Sequence, residues 1–178
     1  MTNVSAGGAG KVRSAADKSA EDTAWEAAAA VLDPEVPVLT IADLGVLRDV
    51  DVTDDGTAVI TITPTYSGCP AMDVIRHDVE TAVRDAGFDR VEVRTVLSPA
   101  WTTDWMTERG KRALKGFGIA PPSRRTSGNG TVLLQISVRC PQCGSARTRE
   151  TSRFGSTACK SLWVCDDCRE PFDHFKAH

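Results

Sequence analysis

Six cysteines are the residues of this 178-residue chain most able to do chemistry, and four of them share a spacing. They form two Cys-x-x-Cys pairs, Cys140 with Cys143 and Cys165 with Cys168. Two such turns, each closing a hairpin, bring four thiolates to the corners of a tetrahedron, which is how a zinc ribbon is built. The sequence therefore predicts a structural zinc at these four cysteines.

A fifth cysteine, Cys159, lies near the second pair, in the segment Phe154-Gly-Ser-Thr-Ala-Cys-Lys160. Three interpretations stay open for Cys159. It is a buried apolar thiol, or an extra ligand that replaces one of the four, or part of an iron–sulfur cluster held instead of zinc, because thiolates serve both metals. His174 and His178 are not needed to complete four ligands, and we interpret them as solvated.

The sixth cysteine, Cys69, precedes a segment with helical periodicity. Apolar residues recur every three or four positions between Met72 and Ala86, which predicts a helix with one buried face. Pro70 suits the first turn of that helix. Free N–H groups and the helix dipole at this end stabilise a thiolate, so Cys69 is a candidate nucleophile, metal ligand or redox group. The alternative is a small buried hydrophobe.

The elements around Cys69 predict a small α+β domain, with helices on one face of a three-stranded sheet. Asp54-Asp55-Gly56 is a strong hairpin turn signal, and the last strand ends at Ser98-Pro99. The predicted order is a helix over 22–32, a helical turn over 40–45, strands over 46–52 and 57–63, a helix over 70–86, a strand over 91–97 and a helix over 104–115.

Composition divides the chain into four segments. Residues 1–21 are of low complexity and are predicted to be disordered, and residues 22–120 form the α+β domain. Residues 121–130 are a linker rich in Pro, Ser and Gly, and residues 131–178 form the zinc-ribbon module, which a strand over 131–139 begins. So small a module has few apolar residues and needs a metal to hold it together.

Charge and hydropathy exclude several classes of protein. The net charge of −3 gives no general attraction to nucleic acid or to an anionic membrane. A membrane span and a secretory signal are not predicted, so we expect a cytoplasmic protein.

A cysteine hydrolase is discounted because His77, eight residues after Cys69, would lie about 12 Å away along a helix.

A nucleic-acid-binding zinc ribbon stays as an alternative. A local basic patch supports it, formed by Arg109, Lys111, Arg112, Lys115, Arg124 and Arg125. The net acidity of the chain and the lack of an aromatic stacking platform count against it. Such a patch is more often a solvated helix face or a protein contact.

Several motifs together resemble the SufT-like family of iron–sulfur assembly proteins. They are Asp33-Pro-Glu-Val-Pro37, Asp43-Leu-Gly45, Thr63-Pro-Thr-Tyr-Ser-Gly-Cys-Pro70, and Ser98-Pro99 with Trp101 and Trp105. The tail resembles the PaaD branch of that family, through Cys140-Pro-Gln-Cys-Gly-Ser145, the segment 154–160 and Cys165-Asp-Asp-Cys-Arg-Glu-Pro-Phe172. The resemblance covers residues from about 22 to the C-terminus.

The resemblance implies an accessory component of the multicomponent phenylacetyl-CoA 1,2-epoxidase of aerobic phenylacetate catabolism, and not the oxygenase itself. A maturation factor for iron or iron–sulfur centres is the role it implies, with the epoxidase subunits or their iron–sulfur reductase as partners. An alternative is a structural or electron-transfer subunit with a permanent iron–sulfur cluster at the C-terminal cysteines.

Carried onto this chain, the reactive cysteine of the family is Cys69, and Asp33, Glu35 and Asp43 are its acidic positions. Carboxylates and a thiolate in one pocket could hold ferrous iron or a transferable iron–sulfur cluster. The alternative for each acid is helix capping or turn formation.

Overall fold

The structure is a computed structural model that describes residues 15–66, 68–122 and 138–177. Several predicted segments lie wholly or partly outside these residues. Outside the described residues lie residues 1–14 of the extension predicted over 1–21, residues 123–130 of the linker predicted over 121–130 and residues 131–137 of the strand predicted over 131–139, together with Ser67 and His178.

The described residues form two three-stranded sheets, β1-β2-β3 and β4-β5-β6, with four α-helices. The order is α1 (Ala15–Ala29), α2 (Ile41–Leu44), β1 (Leu47–Val52), β2 (Thr57–Ile62), α3 (Met72–Asp85), β3 (Arg90–Thr95), a 3-10 helix (Thr103–Trp105), α4 (Glu108–Gly116), β4 (Thr148–Ser152), β5 (Lys160–Cys165) and β6 (Pro171–Phe175). The α+β domain followed by a ribbon module is confirmed.

The N-terminal sheet joins an antiparallel hairpin to one parallel strand. β1 and β2 pair across the predicted turn, and α3 carries the chain over to β3, which runs parallel to β2. Ala58, Ile60 and Ile62 alternate along β2 and are fully buried, because alternate residues of a strand share a face. Buried residues of α1 and α3 belong to the same core as this face.

The first helix begins earlier than predicted and ends sooner. Residues 15–21, predicted to be disordered, are part of α1, which ends at Ala29 instead of Leu32. Alanine, lysine and glutamate are common in this stretch and favour helix, so their local propensity outweighs the low complexity of the sequence. Leu32 pairs with Thr40 in an isolated bridge. No described helix is both long and apolar enough to cross a membrane.

The ribbon module is a meander of three antiparallel strands. Cys165 ends β5, and Cys168 lies in the turn that leads from β5 to β6. β4 is not predicted from the sequence, because its residues, Thr-Arg-Glu-Thr-Ser, have no apolar alternation. The segment that contains Cys159 connects β4 to β5.

The ribbon docks on the N-terminal domain through β6. The N–H of Ala120 donates to the carbonyl of Asp173 at 2.8 Å, and the N–H of Phe175 donates to the carbonyl of Ala120 at 2.9 Å. Phe175 is 1 % exposed and belongs to the core of the N-terminal domain, where its ring centroid lies 6.3 Å from that of Trp101. The ribbon therefore contributes Phe175 and Cys159 to the core of the N-terminal domain, while its other buried hydrophobic residues form a second, smaller cluster.

His174, in the docking strand, is buried and not solvated as predicted. Its Nδ1 lies 3.3 Å from the hydroxyl of Ser161, its ring lies edge-on to Trp163, and its Nε2 has no partner within the described part of the chain. Burial lowers the pKa of His174 to about 4.

We expect this buried imidazole to make the stability of the protein depend on pH. Below its ordinary pKa of 6.5, the unfolded imidazole binds a proton that the folded one excludes until about pH 4. Stability should therefore fall as the pH drops through this window, by up to about 3 kcal/mol. Urea unfolding of His174→Gln, from pH 7 to 5 with zinc present, should show a shallower slope than the wild type. The exposed His77→Gln is the matched control, and equal slopes for all three proteins would contradict the prediction.

Candidate functional site

The loop between β2 and α3 holds Cys69 just before the helix. The N–H of Cys69 donates to the carbonyl of Tyr66 at 3.3 Å, and the N–H of Met72 donates to the carbonyl of Cys69 at 3.3 Å. Gly68, between Tyr66 and Cys69, has φ +86°, a conformation that favours glycine. Cys69 is half-buried in this loop.

The Cys69 thiol is not stabilised as a thiolate, in contrast to the prediction. Burial raises its pKa most, and the negative charges of Glu35 and Asp33 raise it further, against hydrogen bonds from the backbone of Ala71 and the side chain of Tyr66. The reason is position, since α3 begins at Met72 and Cys69 lies two residues before its N-cap, Ala71. Desolvation therefore outweighs the helix end.

Asp33 forms the turn that presents Glu35. Its Oδ1 accepts the N–H groups of Glu35 at 2.9 Å and Val36 at 2.7 Å, which is the turn role weighed for it as an alternative. The charge of Asp33 nevertheless raises the pKa of Cys69, so Asp33 both forms the turn and acts on the thiol. Burial raises the pKa of both carboxyls, and the charge of Asp33 also raises that of Glu35.

Cys159 lies against Glu35, and it is not one of the four clustered cysteines. Its thiol donates to Oε2 of Glu35 at 3.8 Å, and its sulfur lies 3.0 Å from the hydroxyl of Thr157. Cys159 is 4 % exposed and belongs to the core of the N-terminal domain. The interpretation of Cys159 as a ligand in the ribbon is therefore corrected. Sequence alone could not find this contact, which joins residues 124 positions apart.

Asp43 makes its contacts elsewhere, with the start of α4. Its Oδ1 accepts the hydroxyl of Thr107 at 2.7 Å, its Oδ2 lies 2.7 Å from Nη2 of Arg109, and its carbonyl accepts the N–H of Thr107 at 2.9 Å. Gly110 allows this approach, because an added Cβ would lie 3.0 Å from that of Asp43. Asp43 thus anchors α4 to α2, while Asp33 and Glu35 act on Cys69.

The four remaining cysteines have the geometry of a tetrahedral metal site. Their sulfur atoms all lie within 4.8 Å of one another, with 3.7 Å between Cys140 and Cys168 and 3.6 Å between Cys143 and Cys165. Four thiolates around zinc, each at about 2.3 Å, would be separated by about 3.8 Å. The donor set therefore fits a single ion of this kind.

The two Cys-x-x-Cys turns have matching backbones. The N–H of Gly144 donates to the carbonyl of Cys140 at 2.9 Å, and that of Arg169 donates to the carbonyl of Cys165 at 3.0 Å. Gly144 and Arg169, each directly after the second cysteine of its pair, have φ +76° and +65°. Each turn thus presents its two thiols in the same way.

Comparison with known proteins divides the chain as the structure does. A family model described as PaaD zinc beta ribbon domain matches residues 124–176, and one described as iron-sulfur cluster assembly protein matches residues 21–95.

Relatives match both the whole chain and its N-terminal half. The chain is 48 % identical over 152 residues to an Escherichia coli protein provisionally named as a subunit of 1,2-phenylacetyl-CoA epoxidase, covering 85 % of this chain and 90 % of that protein. It is 41 % identical over 85 residues to the Bacillus subtilis Fe-S protein maturation auxiliary factor YitW, covering 47 % and 82 %. The crystal structure of a DUF59 domain from Bacillus anthracis is 32 % identical with TM-score 0.52, covering 56 % and 94 %.

Removal of the Glu35 charge should make Cys69 more reactive. The charge of Glu35 raises the pKa of Cys69, so Glu35→Gln should lower that pKa and raise the thiolate fraction at pH 8. The larger thiolate fraction should speed alkylation by iodoacetamide severalfold. Mass spectrometry of the peptide that contains Cys69 measures the rate. The exposed Glu150→Gln should leave it unchanged, and an equal or slower rate in Glu35→Gln would contradict the prediction.

Asp43→Ala should destabilise the protein by about 1–3 kcal/mol, since the buried carboxylate satisfies the donors at the start of α4. Arg109→Ala should cost less than about 1 kcal/mol, because the side chain of Arg109 is 68 % exposed. Urea unfolding followed by circular dichroism measures both variants. Equal losses of stability in the two variants would contradict this assignment. An Asp43→Ala variant that had wild-type stability and no longer bound iron would indicate that Asp43 acts together with Cys69.

Proposed function

The chain belongs to the PaaD family, and on that premise we propose that it is an accessory protein of a phenylacetyl-CoA 1,2-epoxidase system that matures iron or iron–sulfur centres. The relative that is named an epoxidase subunit supports the link to the epoxidase system. The relatives that are named Fe-S protein maturation auxiliary factors support the role in maturation. The epoxidase subunits or their iron–sulfur reductase would receive the iron or the cluster.

The observation that carries the proposal is the half-buried Cys69 thiol beside Glu35 and Asp33, in the part of the chain that matches the iron–sulfur assembly model. Thiolates and carboxylates together are a donor set for iron. The substrate in this function is ferrous iron or an iron–sulfur cluster, and Cys69 is the proposed point of attachment.

The raised pKa of Cys69 suits transient binding. A thiol must lose its proton before it binds iron, so the metal competes with that proton. Because burial and the nearby carboxylates hold the proton on Cys69 more tightly, they weaken its hold on iron. An acceptor protein could then take the iron or the cluster by exchanging its own thiolates for Cys69, which regains its proton. Atoms are exchanged in this step and no electron is transferred.

We assign a structural zinc to Cys140, Cys143, Cys165 and Cys168, whose sulfur spacing fits one tetrahedral ion. Zinc bound there would supply the folding free energy that so small a module lacks. Its function would be to hold β4–β6 in the form that docks on the N-terminal domain.

A second candidate is an electron-transfer subunit with iron bound permanently at these four cysteines. The sulfur geometry is compatible with this candidate, since four tetrahedral thiolates can hold iron as well as zinc. The nucleic-acid alternative has less support, because Arg109 and Lys111 of the basic patch form ion pairs with Asp43 and Glu108.

The test is iron and sulfide uptake by the full chain, purified anaerobically and reconstituted with ferrous iron, sulfide and a thiol reductant. We expect one zinc per chain as purified, iron and sulfide uptake in addition to it, and transfer of both to the apo form of an iron–sulfur reductase. Cys69→Ser should lower the bound iron and sulfide about tenfold or more and should keep its zinc.

Cys143→Ser is the matched control, because it removes a thiol of the same chemistry from the four-cysteine site. Iron and sulfide lost in Cys143→Ser but kept in Cys69→Ser would overturn the proposal in favour of a permanent centre in the ribbon. A wild-type protein that takes up no iron and sulfide would overturn maturation altogether.

A further inference from the structure

Cys159 reaches the Cys69 site from the other module. The Cys159 thiol donates to Oε2 of Glu35 at 3.8 Å, and the charge of Glu35 raises the pKa of both Cys159 and Cys69. The side chain of Tyr66 is hydrogen-bonded to Cys69, and the charge of Cys159 also raises the pKa of Tyr66. Glu35 therefore contacts the Cys159 thiol and acts through its charge on the Cys69 thiol, which lies 90 positions before Cys159 in the sequence.

The segment before Cys159 is folded tightly enough to hold this thiol in place. The N–H of Gly155 donates to the carbonyl of Lys160 at 2.9 Å, and the N–H of Lys160 donates to that of Thr157 at 3.1 Å. An added Cβ on Gly155 would lie 3.0 Å from Oδ1 of Asp173 and 3.2 Å from Cβ of Lys160, so the segment packs closely here. The carbonyl of Cys159 accepts the N–H of Lys176 at 2.9 Å, which ties it to the end of the docking strand.

The surroundings of Cys159 are more polar than those of a thiol that only fills space. Its sulfur touches a hydroxyl and a carboxylate, and the charges of Asp33 and Lys160 also act on it. Lys160 is 6 % exposed, and its Nζ lies 3.5 Å from Asp173. Burial of charged groups around a thiol is costly, and a packing cysteine would need none of them.

We propose that Cys159 and Cys69 bind the same substrate, an iron–sulfur cluster, as two thiolates from two modules with Glu35 between them. This inference rests on the proposed function. On binding, both S–H bonds and two bonds from iron to its previous ligands break, two S–Fe bonds form, and the two protons leave with the released ligands or to the solvent. Exchange with the thiolates of an acceptor reverses these steps, and the oxidation state of the cluster does not change.

The spacing of the donors favours a cluster over a single ion. Within the described ranges, the four ribbon cysteines are the only group of three or more donors compact enough to surround one metal. Cys69, Cys159 and Glu35 do not form such a group among the described residues, so they do not surround a single ion. A polynuclear cluster binds its cysteines through different iron atoms, so its ligands are necessarily spread more widely.

The test compares Cys159→Ser and Cys159→Ala with Cys69→Ser in the full chain, each reconstituted anaerobically with iron and sulfide. We expect either change at position 159 to lower retained iron and sulfide about tenfold or more, with the zinc content unchanged. The visible circular dichroism of the bound cluster should change as well. Alanine leaves only the volume of one sulfur atom empty, so at least one of the two variants should keep the fold.

Thr157→Val is the matched control, because it removes the hydroxyl beside the Cys159 sulfur and keeps the thiol. It should retain the cluster and its spectrum. Wild-type cluster content in both Cys159 variants, with the cluster lost in Cys69→Ser, would overturn this inference and leave the proposed function standing. A wild-type protein that binds no cluster would overturn both.

Discussion

Docking of the last strand on the N-terminal domain is the constraint on which the rest of the structure depends. Two backbone hydrogen bonds join Ala120 to β6, and Phe175 completes a core to which both modules contribute. The same strand ties down Cys159 through Lys176 and pairs Asp173 with Lys160. Without this contact the ribbon would be joined to the N-terminal domain by the chain alone, and Glu35 would lose its contact with Cys159.

Local sequence signals predict the elements well, because the forces that specify them act over a few residues. The turn at Asp54-Asp55-Gly56, the periodicity of α3 and the two Cys-x-x-Cys pairs all lie where the sequence predicts them. β4 escapes prediction because its pairing with β5 decides its conformation and its own composition does not. The start of α1 is wrongly predicted as disordered when low complexity is given more weight than helix propensity.

The candidate site is half predictable for a similar reason. Motifs identify Asp33, Glu35 and Cys69, but their convergence requires the turn at residue 33 and the loop after β2 to meet in space. Asp43 belongs to the same set of motifs and anchors α4 instead. One interpretation of the sequence makes Cys159 an extra ligand because it is close along the chain to the second Cys-x-x-Cys pair, but the structure holds it against Glu35. The predicted sign of the Cys69 pKa shift is also wrong, since it depends on burial that no local pattern reveals.

The shared core has a thermodynamic consequence for the two halves of the chain. Any ligand that binds only the docked form stabilises it, and coupling between two such ligands is reciprocal. If both require the docked form, a metal at the four ribbon cysteines and a ligand at Cys69 and Cys159 would strengthen each other's binding through the Phe175 contact, although they share no atom. The affinity of the chain for one of these ligands would then depend on whether the other is bound.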